Sequence, residues 1–135
     1  EGKHVAILNF GARLNECLIA RENLIKKGIY LTVIDARFAK PLDEKMIWQA
    51  ASDHDVLITI EEGSIGGFGS HVSQFLSEKN FLDNKLKFRS MIFPDKFIDH
   101  DKPEQMYKLA GLDSDSITEK ILDTLASKII LKKTN

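Results

Sequence analysis

The residues best equipped for chemistry lie together in Glu61-Glu62-Gly63-Ser64-Ile65-Gly66-Gly67-Phe68-Gly69-Ser70. Four glycines within seven positions make a backbone able to turn left-handed and to approach another group closely. One reading is an anion cradle, because the amides at a helix start attract phosphate. Gly66 and Gly67 would then carry the ligand at the strand ends, with Arg13 and Arg37 supplying positive charge. The spacing fits neither the dinucleotide fingerprint nor the P-loop, which needs a lysine after its last glycine where this chain has Ser70. Two carboxylates immediately before the loop also repel phosphate unless they point away. The other reading, which the spacing favours, is a tight strand-to-helix turn packed against another chain or domain. In extended chain Glu61 and Glu62 project to opposite faces, a poor arrangement for an acid–base pair.

The remaining reactive residues assemble no self-sufficient active site. Ser64 and Ser70 lack the Gly-x-Ser-x-Gly elbow that exposes a nucleophile. Cys17 falls on the apolar stripe of a helix and reads as a small buried side chain. His71 sits at a helix start and reads as a surface or interface residue. Two Asp-His-Asp triplets, at 53–55 and 99–101, offer an oxygen-and-nitrogen ligand set, but both fall where elements end and polar residues are ordinary. Asp35 closes a strand as a ribose-binding acid would. The loop after the first strand holds one glycine, Gly11, where a pyrophosphate turn needs three. Asp35 is therefore expected to terminate its strand and pair with Arg13 or Arg37.

The elements that must position these residues follow from two alternating periods. Val5 to Phe10, Ile29 to Ile34 and Val56 to Ile60 are short, nearly unbroken apolar runs, the pattern of strands covered on both faces. A fourth, weaker strand is predicted over Leu86 to Ile92. Between the first two runs, Leu14, Cys17, Leu18, Leu24 and Ile25 recur at helical steps, and Lys26-Lys27-Gly28 closes the helix. Asp43 is the predicted cap of a second helix running to about Ser52. A third carries Val72, Phe75 and Leu76. Pro103 starts a short helix that Gly111 ends. The last helix uses Ile117, Ile121, Leu125 and Ile129 and is expected to fray over Lys132 to Asn135. Ser116 with Glu119 makes a possible capping box for it, and Asp113 or Ser114 would cap one turn earlier. Strand–helix–strand units of this length require parallel strands, hence an α/β sandwich with helices on both faces of the sheet. Sites in such sheets form beyond the carboxyl ends of the strands.

Composition bounds the rest. At 135 residues the chain is one domain, with 43% hydrophobic and 29% charged residues, and no disordered tail is indicated. Its 19 basic and 20 acidic side chains leave a net charge of −1, so no broad field draws nucleic acid or an anionic membrane. A single cysteine forms no internal disulfide and fits a reducing, cytoplasmic compartment. No apolar run is long enough to span a bilayer.

Three separated stretches carry a resemblance. Val5 to Gly11, then Asp35-Ala36-Arg37-Phe38-Ala39-Lys40-Pro41-Leu42-Asp43, then Glu61-Glu62 with Gly66-Gly67-Phe68-Gly69-Ser70, together resemble the C-terminal domain of the transketolase family. Within it, the wording from Arg37 to Asp43 and Phe93-Pro94-Asp95-Lys96-Phe97-Ile98-Asp99-His100 is most similar to the 1-deoxy-D-xylulose-5-phosphate synthases. Ile92 and Asp101 depart from that pattern where glycines are usual. The β subunits of 2-oxoacid dehydrogenases share some of the pieces.

The resemblance implies a third, C-terminal domain, residues 1–135, of a larger thiamine-diphosphate and magnesium enzyme. That enzyme would condense pyruvate with glyceraldehyde 3-phosphate, with loss of carbon dioxide, for isoprenoid and thiamine biosynthesis. It implies a three-layer sandwich with strand order 2-1-3-4 and an antiparallel edge strand upstream of Glu1. Cofactor and metal ligands would come from the preceding domains, and no catalytic, cofactor-binding or metal residue carries over to this chain. The expected role is architectural. Arg13, Arg37, Glu61, Glu62, Gly63, Gly66, Gly67, Phe68, Gly69 and Ser70 would then meet those domains and the second subunit of a homodimer. A different class of function is a free-standing module that binds a small anionic metabolite at the strand ends.

Overall fold

The computed structural model describes residues 4–37, 41–63, 66–92 and 103–134, with backbone alone at 103–104 and 128–134. Phe38 to Lys40, Ser64, Ile65 and the stretch from Phe93 through the second Asp-His-Asp triplet lie outside the described residues. The element order is β1 (Val5–Phe10), α1 (Leu14–Ile25), β2 (Leu31–Asp35), α2 (Glu44–Asp53), β3 (Val56–Glu61), α3 (Phe68–Glu78), a 3-10 turn (Phe81–Asp83), β4 (Lys87–Met91), α4 (Pro103–Ala110) and α5 (Ser114–Thr134). All strand pairs are parallel and the sheet order is β2-β1-β3-β4, as predicted.

Strand alternation divides the apolar runs between two cores. Val5, Ile7, Val56, Ile58 and Ile60 meet Cys17, Ala20 and Leu24 of α1 and Ile117 and Ile121 of α5. Ala6, Leu8 and Leu57 face the other way, onto Ile47 and Ala50 of α2 and Val72, Phe75 and Leu76 of α3. Every residue of β3 is buried, which is why it reads as an unbroken run rather than an alternating one. Helix direction reverses sides between β1 and β3, so the carboxyl ends of these two strands form the switch point of the sheet.

The local signals act largely as read. Gly28, at φ +76°, closes α1 and donates to Ile25, while Ile29 donates to the carbonyl of Leu24. That closure occupies Ile29, and β2 starts at Leu31 rather than at the predicted Ile29. Asp43 caps α2 by accepting from the Met46 amide at 3.0 Å. At α5 the cap is Asp113, whose Oδ1 accepts from Ser116 at 3.2 Å, so Ser116 lies inside the helix and starts no capping box. Buried Leu112 anchors the turn one turn earlier than the Ser116–Glu119 pairing requires. The α5 backbone also stays helical through Thr134 instead of fraying from Lys132. Among the described residues no helix is long and apolar enough to cross a membrane.

Candidate functional site

The switch point holds two acidic side chains that point apart. Glu61, the last residue of β3, is only 3% exposed. Its Oε1 accepts from the Phe68 amide at 3.0 Å and its Oε2 from the Gly69 amide. A carboxylate on the first amides of α3 satisfies donors that the helix itself leaves unpaired and complements the helix dipole. It stands where a phosphate in a cradle would stand. The glycine loop is thus a strand-to-helix turn closed by its own anion.

The glycines serve this closure in different ways. A Cβ on Gly69 would lie 2.8 Å from Thr59 Oγ1, 3.1 Å from Glu61 Oε2 and 3.2 Å from the Cβ of Ser90, so α3 sits on the sheet at bare-backbone distance. One on Gly63 would lie 2.9 Å from Glu61 Oε1. Gly66 adopts φ +100° and its amide donates to Ser70 Oγ at 2.9 Å. Gly67 occupies the cap position of α3. Phe68 is 1% exposed and stacks on Phe10 with ring centroids 5.1 Å apart, joining the ends of β1 and α3.

Glu62 turns toward α1. Arg13 Nε lies 3.3 Å from its Oε1, and the guanidinium carbon lies 3.5 Å from the ring centroid of Tyr107 in α4. A hydrogen bond between the Tyr107 phenol and Glu62 pushes the phenol pKa above its ordinary value, with burial adding to the effect. Arg37 is exposed at the end of β2, one strand removed from this group. The structure therefore gathers Arg13, Glu61, Glu62 and the loop residues, leaves Arg37 apart and adds Tyr107. Sequence reasoning missed Tyr107. Its available signal was an aromatic hydroxyl three residues before Ala110 on the core-facing side of α4.

The expected pairing of Asp35 with Arg13 or Arg37 gives way to another. Asp35 Oδ1 accepts from Asn9 Nδ2 at 2.9 Å, and the same amide group donates to the Gly11 carbonyl at 3.0 Å. Register explains this, since Asn9 and Asp35 are direct partners across β1 and β2, while Arg13 is drawn to Glu62. Asn9 is fully buried and was not singled out in the sequence.

The first Asp-His-Asp triplet is splayed. Asp53 accepts from Gln49, and Asp55 meets His4. His54 Nδ1 lies 2.8 Å from the Ala50 carbonyl and Nε2 lies 2.9 Å from Thr32 Oγ1, which assigns the proton to Nδ1. Among the described residues no three His, Cys, Asp or Glu side chains converge as a metal site would require. Cys17 is fully buried, and desolvation pushes its thiol pKa to about 12, far from the range of a nucleophile. Ser70 Oγ serves as an acceptor within the loop, and His71 is half-buried in the first turn of α3.

Residues 1–117 match the family described as "Transketolase, C-terminal domain". Among solved structures, the chain is similar to one titled "Split gene transketolase, inactive beta4 tetramer", with a TM-score of 0.82 and 28% sequence identity. That likeness covers 93% of this chain and 40% of the other, so the chain spans well under half the length of that transketolase. The parallel 2-1-3-4 sheet, the Glu61-Glu62 strand end with its glycine turn, and the family match agree: the chain belongs to the transketolase C-terminal domain family.

Proposed function

We propose that this chain is the architectural C-terminal domain of a thiamine-diphosphate-dependent transferase, and that its strand-end loop meets the preceding domains and a second subunit. The observation that carries this reading is the Glu61 carboxylate on the amides of Phe68 and Gly69. The described residues do not fit the cofactor. The helix start best placed for a diphosphate is taken by Glu61, and no acidic cluster converges for magnesium among them. Preceding domains would hold both groups, and this chain would supply shape rather than chemistry. The split-gene neighbour, described as an inactive tetramer, supports a role in assembly without activity.

The finer reading is a 1-deoxy-D-xylulose-5-phosphate synthase. Its support is the wording from Arg37 to Asp43 and from Phe93 to His100. The 28% identical split-gene structure favours a second reading, a transketolase proper. A substrate panel on the complete protein separates them. With thiamine diphosphate and magnesium, pyruvate plus glyceraldehyde 3-phosphate should turn over. Transfer between a ketose and an aldose, or from a 2-oxoacid to a lipoyl acceptor, should not. Turnover of any pair by the 135-residue chain alone would overturn the architectural role. The loop contact has its own check. Ser70→Arg places a long cation at an exposed position in the first turn of α3, beside the loop, and should weaken the dimer in sedimentation velocity, whereas unchanged association removes this turn from the interface.

A further inference from the structure

Consecutive residues of an extended chain project to opposite faces, and Glu61, the last residue of β3, and Glu62, directly after it, are both acidic and both engaged. Glu61 holds the first turn of α3 through the Phe68 and Gly69 amides. Glu62 holds Arg13, which lies over the ring of Tyr107, and the Tyr107 hydroxyl returns to Glu62. The glycine turn and α4 are therefore each fastened to one of two residues joined by a single peptide unit.

Neither fastening yields cheaply. Glu61 is 3% exposed, so releasing it from the Phe68 and Gly69 amides leaves it desolvated and unpaired. On the other side Glu62 is 35% exposed and the Arg13 side chain 13%, so the penalty for parting that ion pair falls mainly on Arg13. A strand end whose backbone swings to relieve one side must carry the other carboxylate with it. We propose that the Glu61-Glu62 dipeptide couples the glycine turn to α4, so that loosening either one loosens the other. Contact of a partner with the loop would then be felt at α4, on the far face of the sheet. The coupling is a property of this chain alone and stands whether or not the loop meets another domain.

Coupling between sites is reciprocal, so it can be probed from both ends. The measurement is amide hydrogen exchange on the 135-residue chain. Tyr107→Phe removes only the hydroxyl bond to Glu62, and Tyr107→Leu also removes the ring beneath Arg13. Either variant should speed exchange at Phe68, Gly69 and His71, by about 5-fold or more for Tyr107→Leu. Exchange at Ile47 and Ala50 in α2 should stay unchanged, which separates coupling from general loss of stability. From the other end, Glu61→Gln should speed exchange at Gly111 and Leu112, whose amides bond to Lys108 and Tyr107, by a similar factor. Variants that loosen only their own side, with the opposite site at parental rates, would overturn the proposal. If Glu61→Gln does not fold, the two Tyr107 variants decide it alone.

Discussion

Gly69→Ala tests the closeness of α3 to the sheet, and its sign is opposite to what helix propensity alone predicts. Gly69 lies in the first turn of α3 without a positive φ, so backbone strain plays no part. Propensity by itself favours alanine by up to about 1 kcal/mol in a helix interior. The added methyl, however, would lie 2.8 Å from Thr59 Oγ1 on β3 and 3.2 Å from Ser90 Cβ on β4. Both neighbours sit on strands, so α3 itself must lift, and overpacking of this kind costs about 1–3 kcal/mol. Lifting also draws the Gly69 amide from Glu61, and a weakened bond to a buried charged group adds roughly 1.5–3 kcal/mol at most. The net expectation is a loss of about 2–4 kcal/mol, or roughly 6–15 °C in Tm for a domain of this size. Urea unfolding followed by circular dichroism, with a thermal scan beside it, measures both. Gly66→Ala is the comparison: nothing lies within 4 Å of its added methyl, and only its φ of +100° opposes the change, at about 1–2 kcal/mol. A Gly69→Ala chain as stable as the parent, or more so, would refute the argument that bare backbone is required there.

Cys17 should resist thiol reagents in the native state and react only as the chain unfolds, and labelling kinetics across a urea series would show whether it does. Because burial raises its pKa from 9.0 to about 12, its contribution to stability is complete below about pH 9 and falls away as pH rises toward 12. A Cys17→Ala chain should lose less stability than the parent over that interval, and equal losses would contradict the shift. Asp43→Ala removes the carboxylate that accepts from Met46 and should lower stability by about 1 kcal/mol, whereas Asp43→Asn should lie near the parent in the same urea assay.

The elements were legible because each carried a strong local signature. Strands buried on both faces are apolar at nearly every position, so β1 and β3 announced themselves as runs. The opposed directions of Glu61 and Glu62 follow from the alternation of an extended chain. Partner choice was a different matter. Asp35 had two candidate arginines, Arg13 and Arg37, and cross-strand register gave it Asn9 instead. Tyr107 lies 45 residues beyond Glu62 in sequence, and the burial of α4 against the α1 face of the sheet brings them together. The sequence left the α5 cap open between Ser116–Glu119 and Asp113, which satisfy similar local rules, and the structure selects Asp113, next to the buried Leu112.

By itself, then, the order of residues determined the parallel sandwich and the turn at the end of β3, while the 2-1-3-4 order followed from the family resemblance. Hydrophobic period and chain handedness leave few other ways to bury those runs. The tertiary structure alone decided what occupies the start of α3. A glycine-rich helix start can receive an outside phosphate or an inside carboxylate, since both satisfy the same amides. Which one does so depends on whether a neighbouring side chain reaches those amides. Here Glu61, held on the buried face of β3 directly beneath the helix, reaches them, and the ligand reading gives way to an internal fastening.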